Sequence, residues 1–313
     1  GYQKKHGVRY VFDHHDLCHE LYESKFNRRD AFWKLLGWVE RLQFKHADGV
    51  ICTNESYRDV ALGRGNVDPS RVTVVRSGPR QDRFIKREPT NSLKRGCRHL
   101  GVYLGVMGKQ DGVDYGLRAV RHALDAGLKH TAFTFIGSGD EFDNLVQLRN
   151  ELNLQKHVHF TGRVSDDDLK DLLSTADFGI APDPKNPLND VSTMNKMIEY
   201  MAMGLPIVSF DLKESRYTAG DAALYISNDD PHAMGMAIIE LLNDPKRRAA
   251  MGQLGQQRFS DTLRWGFSAN ELERFYQRLL GSRAPVPQER LLDQPKATPK
   301  PQQSRRQPAL ATS

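Results

Sequence analysis

Short apolar runs alternate with amphipathic helical patterns along most of the chain. Residues 8–12, 49–52 and 72–79 are predicted strands, and between the first two of them apolar side chains recur at helical spacing through residues 31–46. A second series of strands and helices begins at His99. Because strands that alternate with helices pair in parallel through right-handed crossovers, this pattern predicts an α/β protein with parallel sheets.

The central segment of the second series is residues 189–211, with the sequence NDVSTMNKMIEYMAMGLPIVSFD. Its apolar positions predict an amphipathic helix, with the hydroxyl of Ser192 or Thr193 as the expected N-cap. Gly204 is expected to end this helix in a left-handed conformation. The apolar run at 207–210 then predicts the strand that follows.

Two charged residues of the predicted helix, Lys196 and Glu199, lie one turn apart on the side away from the apolar stripe. The unpaired amides of a helix N-terminus attract phosphate, and a lysine in the first turn adds a full positive charge. A carboxylate one turn further along can accept hydrogen bonds from the hydroxyls of a ribose. The pattern alone also fits a solvated Lys–Glu pair on an ordinary surface helix.

The sequence EYMAMGLPIVSFD, which begins at Glu199, resembles the C-terminal signature of the retaining family 4 glycosyltransferases. These enzymes use a nucleotide-sugar donor and have the GT-B fold, which consists of two Rossmann-like domains with parallel sheets. The resemblance implies that Glu199 binds the donor ribose, and a subgroup with the pattern STxxKxxEYMA implies that Lys196 faces the donor diphosphate. Val191 replaces the family's second glutamate, so Asp190 is the nearest acid for a contact with the donor sugar.

Gly105 and Gly108 lie in a glycine-rich turn between a predicted strand and a predicted helix. Glycines there let the backbone approach a ligand, and the helix N-terminus that follows favours phosphate. The surrounding sequence resembles the family's donor-phosphate loop without its usual arginine and lysine, so Lys109 or Arg163 is expected to supply the positive charge. The donor-binding residues that the motifs and the resemblance imply are Gly105, Gly108, Lys109, Gly137, Arg163, Ser192, Thr193, Lys196 and Glu199.

Two adjacent histidines, His14 and His15, follow the first predicted strand, where open α/β sheets place their ligand loops. Adjacent side chains on an extended segment point in opposite directions, and no third ligand stands at a recognisable spacing, so no metal site is predicted. The resemblance implies instead that His14 or His15 lies near the donor sugar and the acceptor, oriented by Asp13 or Asp16. Together with Asp190, these histidines are the candidate catalytic residues.

The expected domain organisation has five parts. They are an incomplete N-terminal Rossmann-like domain at 1–83, a linker at 84–98, a C-terminal nucleotide-sugar-binding domain at 99–260, a closing helix at 261–281 that returns to the first domain, and a disordered tail at 282–313. In the family comparison the first half of the N-terminal domain has no counterpart in this chain. The chain is therefore expected to bind donor and to transfer little.

The amino-acid composition argues against a membrane-spanning protein and against a nucleic-acid-binding protein. Of the 313 residues, 39 % are hydrophobic and 27 % charged, as in globular proteins, and no apolar run is long enough to span a membrane. The net charge of +6 is concentrated in residues 282–313, which hold six Lys or Arg and two acids, so a nucleic-acid partner is not expected. Three scattered cysteines fit a reducing compartment, which predicts a cytoplasmic protein, with the inner face of the membrane as a second location.

The resemblance implies a glycosyltransferase that moves a sugar from a nucleotide sugar to a glycan or lipid-linked acceptor, with retention, in polysaccharide or glycoconjugate biosynthesis. It implies no cofactor and no obligatory metal, and peripheral association with a membrane is a further expectation. Two alternatives remain open. One is a non-catalytic nucleotide-sugar-binding remnant, and the other is a sugar-nucleotide epimerase on the same fold, whose acid–base carboxylates the sequence does not locate.

Overall fold

The first sheet is small and fully parallel. The computed structural model describes residues 7–281, and its first sheet contains β1 (Val11–His14), β2 (Gly49–Cys52) and β3 (Val72–Val74) in the order β1-β2-β3. Its helices are α1 (Cys18–Phe26), α2 (Ala31–His46) and α3 (Glu55–Leu62). Asp30 and Asn54 begin α2 and α3 as N-caps, because their side chains accept hydrogen bonds from first-turn amides.

The second sheet has six strands, which are also all parallel. They are β4 (His99–Leu104), β5 (Thr131–Ile136), β6 (Val158–Gly162), β7 (Phe178–Ala181), β8 (Ile207–Phe210) and β9 (Ala223–Ile226). The helices of this unit are α4 (Val113–Asp125), α5 (Phe142–Glu151), α6 (Asp166–Thr175), α7 (Asn195–Ala202), α8 (Lys213–Ala219), α9 (Pro231–Asn243) and α10 (Pro245–Arg258). A π-helical turn at Phe259–Leu263 then leads to α11 (Trp265–Leu280).

The strand order of the second sheet, β6-β5-β4-β7-β8-β9, is that of a doubly wound Rossmann fold. The chain begins at β4 in the centre, builds outward to β6, and then returns to build outward from β7 on the other side. Loops that leave β4 and β7 therefore diverge, and a crevice opens between them at the carboxyl ends of the strands. This topological switch point is where a ligand is expected.

Helix α7 lies directly against the two strands of the switch point. The ring of Tyr200 packs on Gly179 in β7, where no space remains for a Cβ atom. The Tyr200 hydroxyl accepts a hydrogen bond from the backbone amide of Leu104 at 2.8 Å, at the end of β4. This buried contact fixes α7 relative to both strands, and it directs the N-terminus of the helix toward the crevice.

Both segments that join the two units are packed rather than free. Phe84, at the start of the predicted linker, is buried in the core of the second unit, and Arg87 forms ion pairs with Asp167 and Asp171 on α6. At the other end of the chain, α11 packs Phe275 against the first sheet, beside Ile51. The predicted disordered tail at 282–313 lies outside the described residues.

Most predicted elements are present within a few residues, but two boundaries differ. Strand β1 continues to His14, so this histidine belongs to the sheet rather than to the loop after it. The predicted N-cap of α7 is wrong, because the helix begins after Met194 and no side chain caps it. The hydroxyl of Ser192 instead donates to the Leu188 carbonyl oxygen at 2.7 Å, and that of Thr193 accepts from Asn54 at 3.0 Å. Gly204 has the predicted left-handed conformation, with φ of 69°.

Candidate functional site

A cleft of about 220 Å³ lies between the two units at the N-terminus of α7. The loops after β1 and β2 form one wall, and the loops after β4 and β7 form the other. Its lining residues are His15, Asp16, Leu21, Thr53, Tyr57, Ser77, Gln110, Asp111, Leu188, Asn189, Ser192, Thr193, Met194 and Asn195. Within residues 7–281 no group of three or more His, Cys, Asp or Glu side chains is placed to hold a metal ion.

Three glycine-containing turns meet beside this cleft. The amide of Gly105 donates to the Ile136 carbonyl oxygen at 3.0 Å, and the amide of Gly137 donates to the Gly162 carbonyl oxygen at 3.0 Å. Gly137 has φ of 128°, and a Cβ atom at this position would overlap the Gly105 carbonyl group. The turns after β4, β5 and β6 are therefore joined through their backbones into one rim.

Lys196 lies under this rim and is buried. Its Nζ atom forms an ion pair with Asp183 Oδ1 at 2.5 Å, and it stands 5.0 Å from the ring centre of Tyr103. Its Cε atom is 3.2 Å from the position that a Cβ atom would occupy on Gly105. Burial alone would lower the pKa of Lys196, but the carboxylates of Asp183 and Asp111 outweigh it, and the net pKa is raised. The lysine therefore carries its charge at neutral pH.

The interpretation of Lys196 and Glu199 as a solvated surface pair is wrong. Lys196 is 8 % exposed and its partner is Asp183, which is 1 % exposed. Asp183 is not among the residues that the sequence motifs single out. The signal that could have found it is its position two residues after β7, at the carboxyl end of a fully buried strand. The second carboxylate oxygen of Asp183, Oδ2, is buried without a hydrogen-bond partner among the described residues.

Glu199 lies on α7 one turn after Asn195, partly covered by protein. Burial raises its pKa to about 7, although the nearby charges of Arg83 and Lys196 oppose the rise. Within the described part of the chain, no group donates a hydrogen bond to its carboxylate. A partly desolvated carboxylate without a donor has a strong tendency to accept hydrogen bonds from hydroxyl groups of a ligand.

His14 is placed in the core and does not face the cleft. It is 1 % exposed, and its ring packs between Phe44, at 4.9 Å between ring centres, and Tyr57, at 5.4 Å. Its Nε2 atom lies 3.4 Å from Glu40 Oε1. Although burial opposes it, the neighbouring His14 and Arg64 side chains hold the pKa of Glu40 below its usual range. His14 is therefore corrected from candidate catalytic residue to core residue.

His15 points the opposite way, as expected for adjacent residues of an extended segment. It is exposed and lines the cleft together with Asp16. Of the two histidines, only His15 is placed where it can meet a ligand in the cleft.

The two histidines make a matched pair for mutagenesis. His14→Ala is expected to lower the free energy of unfolding by about 2–3 kcal/mol, because it leaves a cavity among aromatic rings. His15→Ala should stay within about 0.5 kcal/mol of the wild type, since the residue is exposed. Urea denaturation of both variants measures the difference. Equal losses of stability would contradict the opposite placement of the two side chains.

Asp190 does not line the cleft. Its Oδ1 atom accepts a hydrogen bond from the backbone amide of Lys213 at 2.9 Å, at the start of α8. The same atom forms an ion pair with Lys185 at 3.2 Å. The side chain therefore stabilises a helix N-terminus, and the structure does not support a contact with the donor sugar. Asn189, the preceding residue, lines the cleft instead, and its amide donates to the Gln110 carbonyl oxygen at 2.9 Å.

The three remaining donor-loop candidates are Gly108 and Lys109, which are adjacent in the turn after β4, and Arg163, which follows β6. The amide of Gly108 donates to Asp111 Oδ2 at 2.8 Å, which closes the turn after β4. Lys109 is exposed and lines a separate groove of about 780 Å³ between α1 and the helices α4 and α5, away from Lys196. Arg163 is exposed on the rim near Gly137, where its Nε atom donates to the Ser138 hydroxyl at 3.3 Å. Arg163 is therefore better placed than Lys109 to meet a ligand on the rim.

Ser192 and Thr193 connect the two units. Asn54, which is fully buried, caps α3 with its side-chain oxygen and donates from its side-chain nitrogen to the Val191 carbonyl oxygen, at 2.9 Å, and to the Thr193 hydroxyl, at 3.0 Å. The hydroxyls of Tyr57 and Ser192 are 3.0 Å apart. The loop that precedes α7 is thus held by the first unit.

Residues 98–244 match the family model described as glycosyl transferases group 1. The chain is 26 % identical over 176 residues to the phosphatidylinositol N-acetylglucosaminyltransferase GPI3 subunit of Saccharomyces cerevisiae, and the match covers 55 % of this chain and 36 % of that protein. The matches cover from 36 % to 55 % of the length of the curated relatives.

Solved structures match over most of the described residues. Sucrose-phosphate synthase from Thermosynechococcus elongatus superposes with a TM-score of 0.74 at 20 % identity, covering 90 % of this chain and 70 % of that one. HepE of Anabaena, in complex with UDP and glucose, gives a TM-score of 0.69 at 13 % identity, covering 88 % and 73 %. The predicted fold class is confirmed: the chain has an α/β fold with parallel sheets, and the solved structures that it resembles are GT-B glycosyltransferases.

Proposed function

We propose that this chain transfers a sugar from a nucleotide-sugar donor to a glycan or lipid-linked acceptor, with retention of configuration and without an obligatory metal. The observation that carries the proposal is the arrangement at the switch point. A glycine-containing backbone rim, a charged buried lysine and a carboxylate without a hydrogen-bond donor lie on or beside α7, whose first residue lines the interdomain cleft. This set of groups matches the phosphates and the ribose of a nucleotide.

The leaving group of such a transfer is a nucleoside diphosphate, so negative charge accumulates on its phosphates in the transition state. An ammonium group has three donors, of which Asp183 takes one from Lys196, and the others remain for phosphate oxygens beside Gly105. The N-terminus of α7 adds the positive end of its dipole. We propose that these fixed charges fulfil the role that a metal ion has in other transferases.

The remaining assignments follow from position and from the resemblance to the retaining family. Glu199 is the proposed ligand of the donor ribose, and Arg163 lies on the rim where the rest of the nucleotide would extend. His15 and Asp16, at the mouth of the cleft, are the proposed contacts of the transferred sugar and the acceptor. Retention rests on the resemblance to family 4 alone.

Similar proteins support the classes of substrate. HepE was solved with UDP and glucose, and the yeast relative is named for transfer to phosphatidylinositol. A lipid-linked acceptor would bring the protein to the cytoplasmic face of a membrane by peripheral association. No helix in the described part of the chain is long and apolar enough to cross a bilayer.

A panel of nucleotide sugars that differ in base tests the proposal. The matching donor, at about 100 times its Kd, should add roughly 2.7 kcal/mol to stability and raise the melting temperature by roughly 5 °C. Absence of a shift with every nucleotide and nucleotide sugar would contradict the proposed site. Binding without transfer or donor hydrolysis would contradict transfer by this chain, and recovery of an epimerised donor would identify an epimerase.

A further inference from the structure

Helix α2 exposes a stripe of large apolar side chains. Phe32 is 51 % exposed, Leu35 46 %, Trp38 57 % and Val39 38 %. Residues separated by three, four or seven positions share one face of a helix, so these four form a continuous stripe along it. Contiguous exposed apolar surface of this kind marks an interaction site more often than single exposed residues do.

The stripe is not needed to hold α2 in place. The opposite face of the helix buries Phe44 in the core of the first unit, and the Trp33 ring stacks on that of His19 in α1 with 3.7 Å between ring centres. The stripe also extends beyond the helix. Phe26, at the end of α1, is 55 % exposed and joins Phe32 through the ring of Tyr22, at 4.9 and 5.2 Å.

Cations border the stripe along its whole length. Lys34, Arg41 and Lys45 recur at seven- and four-residue intervals on one flank, and all three are exposed. None of them has a carboxylate partner among residues 7–281. The acid of α2, Glu40, lies on the buried face and is bound to Arg64 at 2.8 Å. The exposed face of α2 therefore combines an apolar stripe with charged side chains that are all positive.

We infer that this face of α2, defined by Phe32, Leu35, Trp38 and Val39 with the flanking Lys34, Arg41 and Lys45, docks on the surface of an anionic lipid bilayer. An apolar stripe flanked by lysine and arginine is the pattern of a helix that lies in the plane of a membrane interface. Indole rings favour the interface, and each basic side chain gains further attraction from anionic headgroups. The inference deepens the proposed membrane association and rests on it.

Charge complementarity selects this occupant over a second copy of the chain. Two copies that met through this face would oppose like charges, since no exposed acid of α2 can pair with the cations. The cores of protein interfaces are also depleted in lysine. At 16 residues, α2 is about 24 Å long, enough to present the whole stripe to a flat surface at once.

Co-sedimentation with vesicles tests the charge component. The wild type should bind vesicles of phosphatidylcholine with one third phosphatidylglycerol and not vesicles of phosphatidylcholine alone. The triple variant Lys34→Glu, Arg41→Glu, Lys45→Glu should bind about 100-fold more weakly, since each cation near an anionic surface contributes about fivefold. The control triple Lys129→Glu, Lys156→Glu, Lys246→Glu has the same net charge and should bind like the wild type.

The apolar component has its own matched pair. Leu35→Gln should weaken vesicle binding by about tenfold, and Leu254→Gln on α10, where the leucine is 47 % exposed, should not. Retained melting temperatures and nucleotide-induced shifts would show that each variant is folded, and they separate this test from that of the donor site. Equal vesicle binding by the α2 variants and the control variants would overturn the inference. Absence of binding between the wild type and anionic vesicles would also overturn it. A dimer that only the α2 variants abolish would assign the face to self-association instead.

Discussion

Replacing Asp183 with alanine is expected to lower the free energy of unfolding by about 3–5 kcal/mol. The change removes the partner of a buried ammonium group, which would keep only the more distant charge of Asp111. Because the pKa of Lys196 in the folded protein is raised above its ordinary value of 10.5, the lysine stays charged at neutral pH and cannot avoid this cost. Urea denaturation at pH 7 measures the loss.

A double variant supplies the control for this experiment. The double variant Asp183→Leu, Lys196→Met removes both charges together. Its free energy of unfolding should lie within about 2 kcal/mol of that of the wild type, because the attraction within a buried ion pair offsets most of the cost of desolvating the two charges. The same double variant should lose more affinity for a nucleoside diphosphate than for the free nucleoside, because the removed ammonium group is proposed to contact phosphate. The pair stabilises the fold below pH 10.5, and its contribution declines only as the pH rises through the raised pKa of Lys196. An Asp183→Ala protein as stable as the wild type would contradict the buried pair.

Replacing Glu199 with glutamine is expected to weaken nucleotide binding by about 1.5–3 kcal/mol, which is roughly 10- to 150-fold. A charged acceptor with two oxygens becomes an amide with one, so the ribose hydroxyls lose their charge-assisted hydrogen bonds. Calorimetry with the nucleotide that gives the largest thermal shift measures the change. Unchanged affinity would remove Glu199 from the site.

The pH dependence gives an independent check on Glu199. Its pKa of about 7 in the folded protein exceeds the ordinary 4.5, so between these values the native state holds a proton that the unfolded chain has lost. The wild type should therefore lose stability as the pH rises from 4.5 to 7, and Glu199→Gln should lack this part of the decline. Affinity for a nucleotide sugar, whose diphosphate does not titrate here, should increase through pH 7 in the wild type alone. Coinciding profiles would contradict the assignment.

The periodic parts of the sequence predicted the fold well because local preferences and packing agree there. Helix α2 has the predicted bounds, and Gly204 after α7 has the predicted left-handed conformation. Alternation of strands and helices was sufficient to predict parallel sheets. The GT-B assignment needed the motif around Glu199 in addition, since many folds share that alternation.

The site was predicted less completely because its electrostatics depend on tertiary contacts. Helical spacing placed Lys196 opposite the apolar stripe, but α7 is enclosed on nearly every side at the switch point, and the lysine is buried with a partner 13 residues earlier in the chain. His14 and Asp190 were assigned to the site by proximity in sequence. The side chain of His14 points into the core, and that of Asp190 points toward Lys213. Side-chain direction reverses between neighbouring residues of an extended segment, and a sequence motif does not show which neighbour faces the site.

The hydrogen bonds of Asn54 connect a helix of the first unit with the loop that precedes α7 in the second unit. One side-chain amide anchors both the start of α3 and the loop that leads into α7. A rotation of one unit against the other must either carry this loop along or break those bonds. If a nucleotide binds at the N-terminus of α7 as proposed, its affinity should depend on the angle between the two units. By the same linkage, the bound nucleotide should favour the angle at which it binds most tightly.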